Sequence, residues 1–230
     1  MIAIDPSLET LLLHWRQQGF LLWPGRFDGA DDESELHPDR MDALLRGGSR
    51  SVLAHPVCQR WLQRLLADAS LRQLIPDTHR PIQCTYFEKS ADRNWLVSWH
   101  QDLSVPLKER INHPAFSGWS HKEGRWFAQA PVALLEQCIA VRVHLDPCGE
   151  HDGALRVIPG SHLSGRLDSA DMRQWQAQHA AVDIYRDAGQ ILLMRPLLLH
   201  ASSKASGQSR RRVLHFLFAP DGRQWGMRWE

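Results

Sequence analysis

The sequence predicts a mainly β domain, a β-sandwich or jelly roll with helices packed on one side. The first 75 residues repeat apolar residues at helical spacing, and from about Pro81 the chain turns to short β-rich runs separated by turn residues. We find no repeat or linker that would divide the 230 residues. We therefore expect one domain over 1–230, with a helical part over 1–75 and a jelly-roll core over 81–220.

Three helices are expected in the N-terminal part. The first, "SLETLLLHWRQQ", starts at Ser7, whose hydroxyl suits an N-cap. A second short helix, "HPDRMDALLRGG", ends on two glycines, and the third is "HPVCQRWLQRLLADASLRQLI". The candidate strands that follow are "IQCTYFEK", "WLVSWHQD", "QCIAVRVHLD", "GALRVIPGS", "QILLMRPLLLH" and "RRVLHFLFAP".

Composition favours a small-molecule ligand. The 27 Lys+Arg nearly balance the 26 Asp+Glu, so charge gives no support to a nucleic acid or an anionic membrane as partner. The four cysteines form no C-x-x-C pair and are expected to be reduced thiols of a cytoplasmic protein. The N-terminus lacks the pattern of a secretory signal, and no apolar run approaches the ~20 residues of a membrane span.

A histidine and an aspartate one residue apart end the strand in "NWLVSWHQDLSVP". Because side chains alternate along a strand, His100 and Asp102 share a face. Two imidazoles and one carboxylate form the facial triad of non-heme Fe(II) oxygenases. His200, which closes "ILLMRPLLLH", is the candidate third ligand. A second H-x-D pair, His144 and Asp146, also ends a strand before His200, and spacing alone leaves both pairs open.

The sequence after His200 supplies a candidate anion site. Arg211 lies on the next strand, and alternation turns it away from its neighbours Arg210 and Arg212 and into the barrel. There its planar fork could hold a carboxylate bidentately. The hydroxyl of Ser202 could add a hydrogen bond.

The combination of "WHQD", "GALRVIPGSH" and "H-A-S" followed by "R-R", in this order, closely resembles the phytanoyl-CoA dioxygenase family of Fe(II)/2-oxoglutarate oxygenases. The resemblance runs from about Gln83 to Phe218. It implies a double-stranded β-helix (jelly roll, cupin-like) in which His100, Asp102 and His200 bind the iron. The second H-x-D pair then falls on a structural strand, so His144 is not a ligand.

The resemblance also implies the cosubstrate contacts. Arg211 matches the arginine that binds the distal carboxylate of 2-oxoglutarate, and Ser202 matches a helper hydroxyl. Gln83 and Thr85 lie where relatives place cosubstrate or substrate contacts. Related halogenating enzymes lack the carboxylate, so Asp102 favours hydroxylation of an unactivated C–H bond, with O2 consumed and succinate and CO2 released.

The substrate is less well defined. The polar segment 108–130 is too long for a hairpin turn and is expected to be a lid loop, with Trp119 and Trp126 as substrate contacts. His162, after the Pro-Gly turn, is a further candidate contact. The sequence gives no basic cluster that would favour a CoA thioester. Desaturation, epimerisation or ring formation by the same family, and a non-catalytic jelly-roll ligand-binding protein, stay open as alternatives.

Overall fold

The computed structural model of this chain describes residues 7–27, 49–50, 52–207 and 209–229. The second predicted helix, over 37–48, lies outside the described residues. Helix α1 (Leu8–Gln18) begins at Ser7, whose Oγ accepts a hydrogen bond from the Thr10 backbone N–H, and it ends at Gly19 in the left-handed conformation. The first predicted helix therefore has the expected bounds.

The third predicted helix is shorter than expected. Helix α2 spans Pro56–Ala67 and stops because Asp68 takes an extended conformation. Only a single 3-10 turn, Leu71–Gln73, follows. Two more helices, α3 (Val132–Leu135) and α4 (Ser169–Gln178), lie between strands of the barrel.

The described strands form three antiparallel sheets. They are β1 (Phe20–Arg26), β2 (Arg80–Lys89), β3 (Val97–His100), β4 (Ser104–Leu107), β5 (Ser117–Lys122), β6 (Arg125–Gln129), β7 (Ile139–His144), β8 (Leu155–Val157), β9 (Val182–Ile184), β10 (Gln190–Met194), β11 (His200–Ser202) and β12 (Arg211–Ala219). The large sheet has the order β1-β10-β7-β12-β2, the small sheet β3-β11-β8-β9, and a side sheet β4-β6-β5.

Strand β1 corrects the expectation that the first 75 residues are helical. The left-handed Gly19 ends α1, and the chain then pairs antiparallel with β10 as the edge of the large sheet. This pairing joins segments about 170 residues apart, which local helical periodicity cannot reveal.

Two further expectations are wrong in detail. The run "QILLMRPLLLH" is two strands rather than one, because β10 belongs to the large sheet and β11 to the small sheet. The residues between them, 195–199, cross from one sheet to the other, and Pro196 cannot donate to a ladder. The expected lid loop over 108–130 is largely a hairpin of β5 and β6, turned by Glu123 and Gly124 at positive φ.

Apolar residues form the two main layers of packing. One cluster joins the helices to the outer face of the large sheet through Trp15, Trp61, Leu65 and Phe216. The second fills the space between the sheets, with contributions from strands β6 to β10. Among the described residues no helix is both long and apolar enough to cross a membrane. The architecture is the double-stranded jelly roll expected from the sequence.

Candidate metal centre

His100 and His200 face each other across neighbouring strands. Their backbones are direct partners in the pairing of β3 with β11, and the ring centroids lie 4.2 Å apart. Asp102 follows β3, with Oδ1 3.8 Å from His100 Nε2 and Oδ2 3.6 Å from His200 Nε2. One nitrogen or oxygen from each of the three side chains lies within 4.8 Å of the others. The three residues that the sequence analysis selected therefore converge on one point.

Hydrogen bonds orient both imidazoles toward that point. His100 Nδ1 is 2.8 Å from the Ser98 carbonyl oxygen, and His200 Nδ1 is 2.8 Å from the Leu198 carbonyl oxygen. A carbonyl oxygen only accepts, so each Nδ1 must carry the proton and donate it. Each Nε2 is then left with its lone pair directed at the Asp102 side. This is the tautomer that a metal-ligating histidine requires.

The environment also sets suitable protonation states. Burial lowers the pKa of His200 below its ordinary value and outweighs the opposing charge of Asp102. Burial acts to raise the pKa of Asp102, but the neighbouring His200, His215 and His100 outweigh it, so the pKa is lowered. Near neutral pH the centre therefore offers a neutral imidazole at His200 and an ionised carboxylate, as metal binding demands.

Gln101, between the two H-x-D residues, fixes the end of β3. The residue is 5% exposed. Its side-chain Nε2 donates to the carbonyls of Leu197 and Gly165, while its Oε1 accepts from the Leu167 N–H. The Asp102 N–H donates to the Pro196 carbonyl. These bonds tie the H-x-D segment to the chain that leads into β11. Sequence reasoning missed this role, although a glutamine beside two candidate ligands was a visible signal.

The "PGSH" turn supports the strand of the third candidate ligand, His200. Ser161 is fully buried, donates its hydroxyl to the Ile158 carbonyl and accepts the N–H of Leu199, the residue before His200. His162 packs against Gly19 and places its Nε2 3.2 Å from the Arg16 carbonyl at the end of α1. The turn thus connects β11, which carries the candidate ligand His200, with α1.

A cavity of about 440 Å³ opens beside the three candidate ligands. Each of the predicted cosubstrate residues lines it: Gln83, Thr85, Ser202 and Arg211. Arg211 is 4% exposed, its Nη1 donates to the Gly153 carbonyl, and its Nε has no partner among the described residues. Gln83 Nε2 donates to Thr85 Oγ1 at 3.0 Å. The alternation that turned Arg211 inward was therefore correctly predicted.

The predicted substrate contacts lie elsewhere. Trp119, Trp126 and His162 are absent from the described residues that line the cavity. Trp119 and Trp126, in the hairpin of β5 and β6, lie edge to face and pack on the inter-sheet core. From the same segment, Phe127 and Lys122 do reach the cavity wall.

The two residues of the alternative H-x-D pair have different surroundings. Asp146 accepts three hydrogen bonds from Arg212, from the backbone N–H, Nε and Nη2, at 2.6 to 2.8 Å. His144 is 1% exposed, and neither ring nitrogen has a partner among the described residues. Burial and nearby arginines hold the pKa of His144 well below its ordinary value. This pair takes part in no described cluster of metal-binding side chains.

Lys89 and Arg142 also line the cavity, although the sequence analysis did not select them as site residues. Lys89 donates to Ser202 Oγ and to the Ser203 carbonyl, and Ser202 in turn donates to the Gly153 carbonyl. Arg142 Nη1 lies 3.1 Å from His215 Nδ1. Arginine only donates, so His215 Nδ1 accepts and its Nε2, 3.9 Å from Asp102, bears the proton. His215 is thus a neighbour of the candidate ligands rather than a fourth ligand.

Solved structures share this fold. EvdMO1 superposes with a TM-score of 0.67 at 16% identity, covering 94% of this chain but only 50% of EvdMO1. The non-heme alpha ketoglutarate dependent epimerase SnoN from nogalamycin biosynthesis gives 0.69 at 18% identity over 94% of this chain and 82% of SnoN. HygX from Streptomyces hygroscopicus, with nickel and 2-oxoglutarate bound, gives 0.61 at 19% identity over 95% and 87%.

The family follows from the sequence itself. The family model of phytanoyl-CoA dioxygenase (PhyH) matches residues 27–213, a range that holds strands β2 to β11 and the start of β12. The chain therefore belongs to the phytanoyl-CoA dioxygenase family. No curated protein matches it.

Proposed function

We propose that this protein is an Fe(II)/2-oxoglutarate-dependent oxygenase that hydroxylates a C–H bond of a small molecule. The observation that carries the proposal is the orientation of His100 and His200, each with Nδ1 bound to a carbonyl of its own strand and Nε2 free beside Asp102. Two neutral imidazoles and one carboxylate suit Fe(II) and leave further coordination positions for cosubstrate and oxygen.

The cavity supports 2-oxoglutarate as cosubstrate. Arg211 is a buried guanidinium on the inner face of β12, and its Nε has no partner in the part of the chain that the structure describes. A buried cation of this kind costs free energy unless an anion meets it, and the fork of arginine fits a carboxylate bidentately. We assign Arg211 to the distal carboxylate. Lys89 reaches the same end of the cavity, since it pairs with Arg211 across β2 and β12.

Ser202 contributes indirectly in this arrangement. Its hydroxyl already donates to the Gly153 carbonyl and accepts from Lys89, so it holds the ammonium group rather than offering a free proton to the cosubstrate. Gln83 and Thr85 lie on the β2 wall, where Gln83 keeps one donor available for a ligand oxygen.

The bound metal and cosubstrate would supply the oxidation, coupling substrate oxidation by O2 to decarboxylation of 2-oxoglutarate into succinate and CO2. The protein's contribution is to hold ligands, cosubstrate and substrate in register. Gln101 and Ser161 fix the two strands that carry the ligands, and Phe127 and Leu217 shield the cavity with apolar surface.

The proposal is tested by anaerobic titration of Fe(II) and 2-oxoglutarate into the protein. We expect a weak visible charge-transfer band, lost in Asp102→Asn and His200→Ala. Arg211→Gln should weaken 2-oxoglutarate binding about 100-fold, since it removes a charge-assisted bidentate pair. Arg210→Gln is the matched control, because this neighbouring arginine pairs with Glu88 outside the cavity. A folded wild-type protein without the band would overturn the assignment.

A non-catalytic ligand-binding protein is the alternative from another class. It would bind metal or ligand yet release no succinate in the presence of O2. A succinate-release screen over amino acids, lipids and secondary metabolites therefore separates the two functions. Product analysis of any hit then separates hydroxylation from epimerisation, the activity named for the structural neighbour SnoN, and from desaturation or ring formation.

A further inference from the structure

Positive charge is concentrated in the central cavity. Its lining includes five cationic side chains against one carboxylate, Asp102, among the described residues, and they are Arg50, Lys89, Lys122, Arg142 and Arg211. The whole chain carries a net charge of only +1, so overall composition does not account for this concentration. Arg50 and Lys122 are exposed and lie at the rim, whereas the other three are buried.

Among the described residues, no carboxylate lies within ion-pair distance of the three buried cations. Lys89, Arg142 and Arg211 are 1%, 6% and 4% exposed, and in the described part of the chain none of them forms an ion pair. Their hydrogen bonds go to hydroxyl, carbonyl and imidazole acceptors, and the Nε atoms of both arginines have no described partner. Buried charges are ordinarily paired, so anions from outside the chain are expected here.

The proposed cofactors account for only part of this charge. Fe(II), the Asp102 carboxylate and a 2-oxoglutarate dianion sum to one negative charge, which Arg211 neutralises. Lys89 and Arg142 then still face the cavity without an anion. A neutral or cationic substrate would leave that imbalance in place.

Arg142 lies at the metal end of the cavity. On the large sheet it pairs with His215, four residues further along β12 than Arg211, which corresponds to about 13 Å of extended strand. Its Nη1 is held by His215 Nδ1, and the other nitrogen of that ring is 3.9 Å from Asp102. The Phe87 ring lies 5.4 Å from its Cζ and supports the guanidinium plane.

We propose that the primary substrate is a small organic acid and that Arg142 binds its carboxylate beside the metal. This inference rests on the proposed function. Because the anchor is close to the candidate ligands, the oxidised C–H bond lies within a few bonds of the acid group. The apolar part of the substrate then contacts Phe127 and Trp95 of the cavity wall.

Benzoate and its neutral counterpart benzamide are suitable probes. Each is titrated calorimetrically, in chloride-free buffer without O2, into the protein loaded with Fe(II) and saturating 2-oxoglutarate. We expect benzoate to bind wild type at least about tenfold more tightly than benzamide. Arg142→Gln should remove this preference while changing 2-oxoglutarate affinity, read from the charge-transfer band, less than about threefold. Inorganic phosphate, run in parallel, should bind more weakly than benzoate if the anchor fits a planar carboxylate.

The control variant is Arg186→Gln. Arg186 also has a buried Nε without a described partner, but it does not line the cavity. It should leave the preference for benzoate intact. If Arg142→Gln fails to fold, Arg142→Lys keeps the charge without the fork and should retain anion binding while losing preference for benzoate over phosphate.

Two results would overturn the inference. Equal binding of benzoate and benzamide would show that no substrate anion site exists. An Arg142→Gln protein that loses 2-oxoglutarate as severely as Arg211→Gln would assign Arg142 to the cosubstrate instead. Both differ from failure of the proposed function, in which wild type itself forms no charge-transfer band.

Discussion

The ion pair between Asp146 and Arg212 allows the two H-x-D motifs to be separated by experiment. The substitution Asp146→Asn removes the negative charge and keeps one side-chain oxygen that can accept a hydrogen bond. The pair has side-chain exposures of 17% and 11% and three hydrogen bonds. Hydrogen bonds to charged groups contribute about 1.5–3 kcal/mol, and solvent access reduces the larger cost of breaking a fully buried pair. We expect a loss of about 2 kcal/mol in the free energy of unfolding.

Urea denaturation of the metal-free protein measures this loss, and thermal unfolding should show a fall of roughly 4–8 °C for a domain of this size. The matched variant is Asp102→Asn, whose carboxylate oxygens lie 3.8 Å from His100 Nε2 and 3.6 Å from His200 Nε2 and accept no hydrogen bond among the described residues. It should change stability by less than about 1 kcal/mol and abolish the charge-transfer band with Fe(II) and 2-oxoglutarate. The reasoning is refuted if Asp146→Asn removes the band and leaves stability unchanged.

Three further predictions concern residues around the centre. Ser161→Ala strands the buried Leu199 N–H and should cost about 1–3 kcal/mol by urea denaturation, with weaker Fe(II) binding; unchanged values for both would contradict its role. Gln101→Ala should lower Fe(II) affinity at least about tenfold in a competition titration with a chelator, and retention of wild-type affinity would count against it. His144 has a depressed pKa in the folded protein, so the unfolded chain takes up its proton first and stability is lost as pH falls below about 6.5. His144→Leu should therefore reduce the loss of stability between pH 7 and 5 by up to about 2 kcal/mol in urea titrations at both values, and identical pH dependence in both proteins would be the contrary result.

The sequence was informative wherever a local rule decides the structure. Alternation along β12 correctly turned Arg211 inward, and the cap at Ser7 correctly started α1. Strand pairing between segments that are distant in the sequence could not be predicted. The strand β1 and the split between β10 and β11 depend on which sheet each segment joins, and no local propensity encodes that choice.

Some polar residues of the cavity wall could have been identified from the sequence. Arg142 interrupts the apolar strand "QCIAVRVHLD", and Lys89 shares the strand parity of Gln83 and Thr85. In both cases a charged residue lies on a strand face that is expected to be buried. Such a residue is a stronger indication of a ligand site than a polar residue in a loop. The tryptophans of the 108–130 segment were a weaker indication of a ligand site, because large aromatic rings contribute to core packing as readily as to ligand binding.

The position of β3 in the small sheet predicts that this strand unfolds locally more often in the metal-free protein than in the metal-bound protein. This four-residue strand is an edge of the small sheet, and in the described part of the chain its backbone pairs with β11 alone. It nevertheless bears one candidate ligand and leads into a second. A metal that joins His100 and Asp102 to His200 would fasten the sheet edge from its side-chain face. Amide hydrogens of β3 should therefore exchange with solvent much more slowly once metal is bound, while those of the central strand β7 stay unaffected.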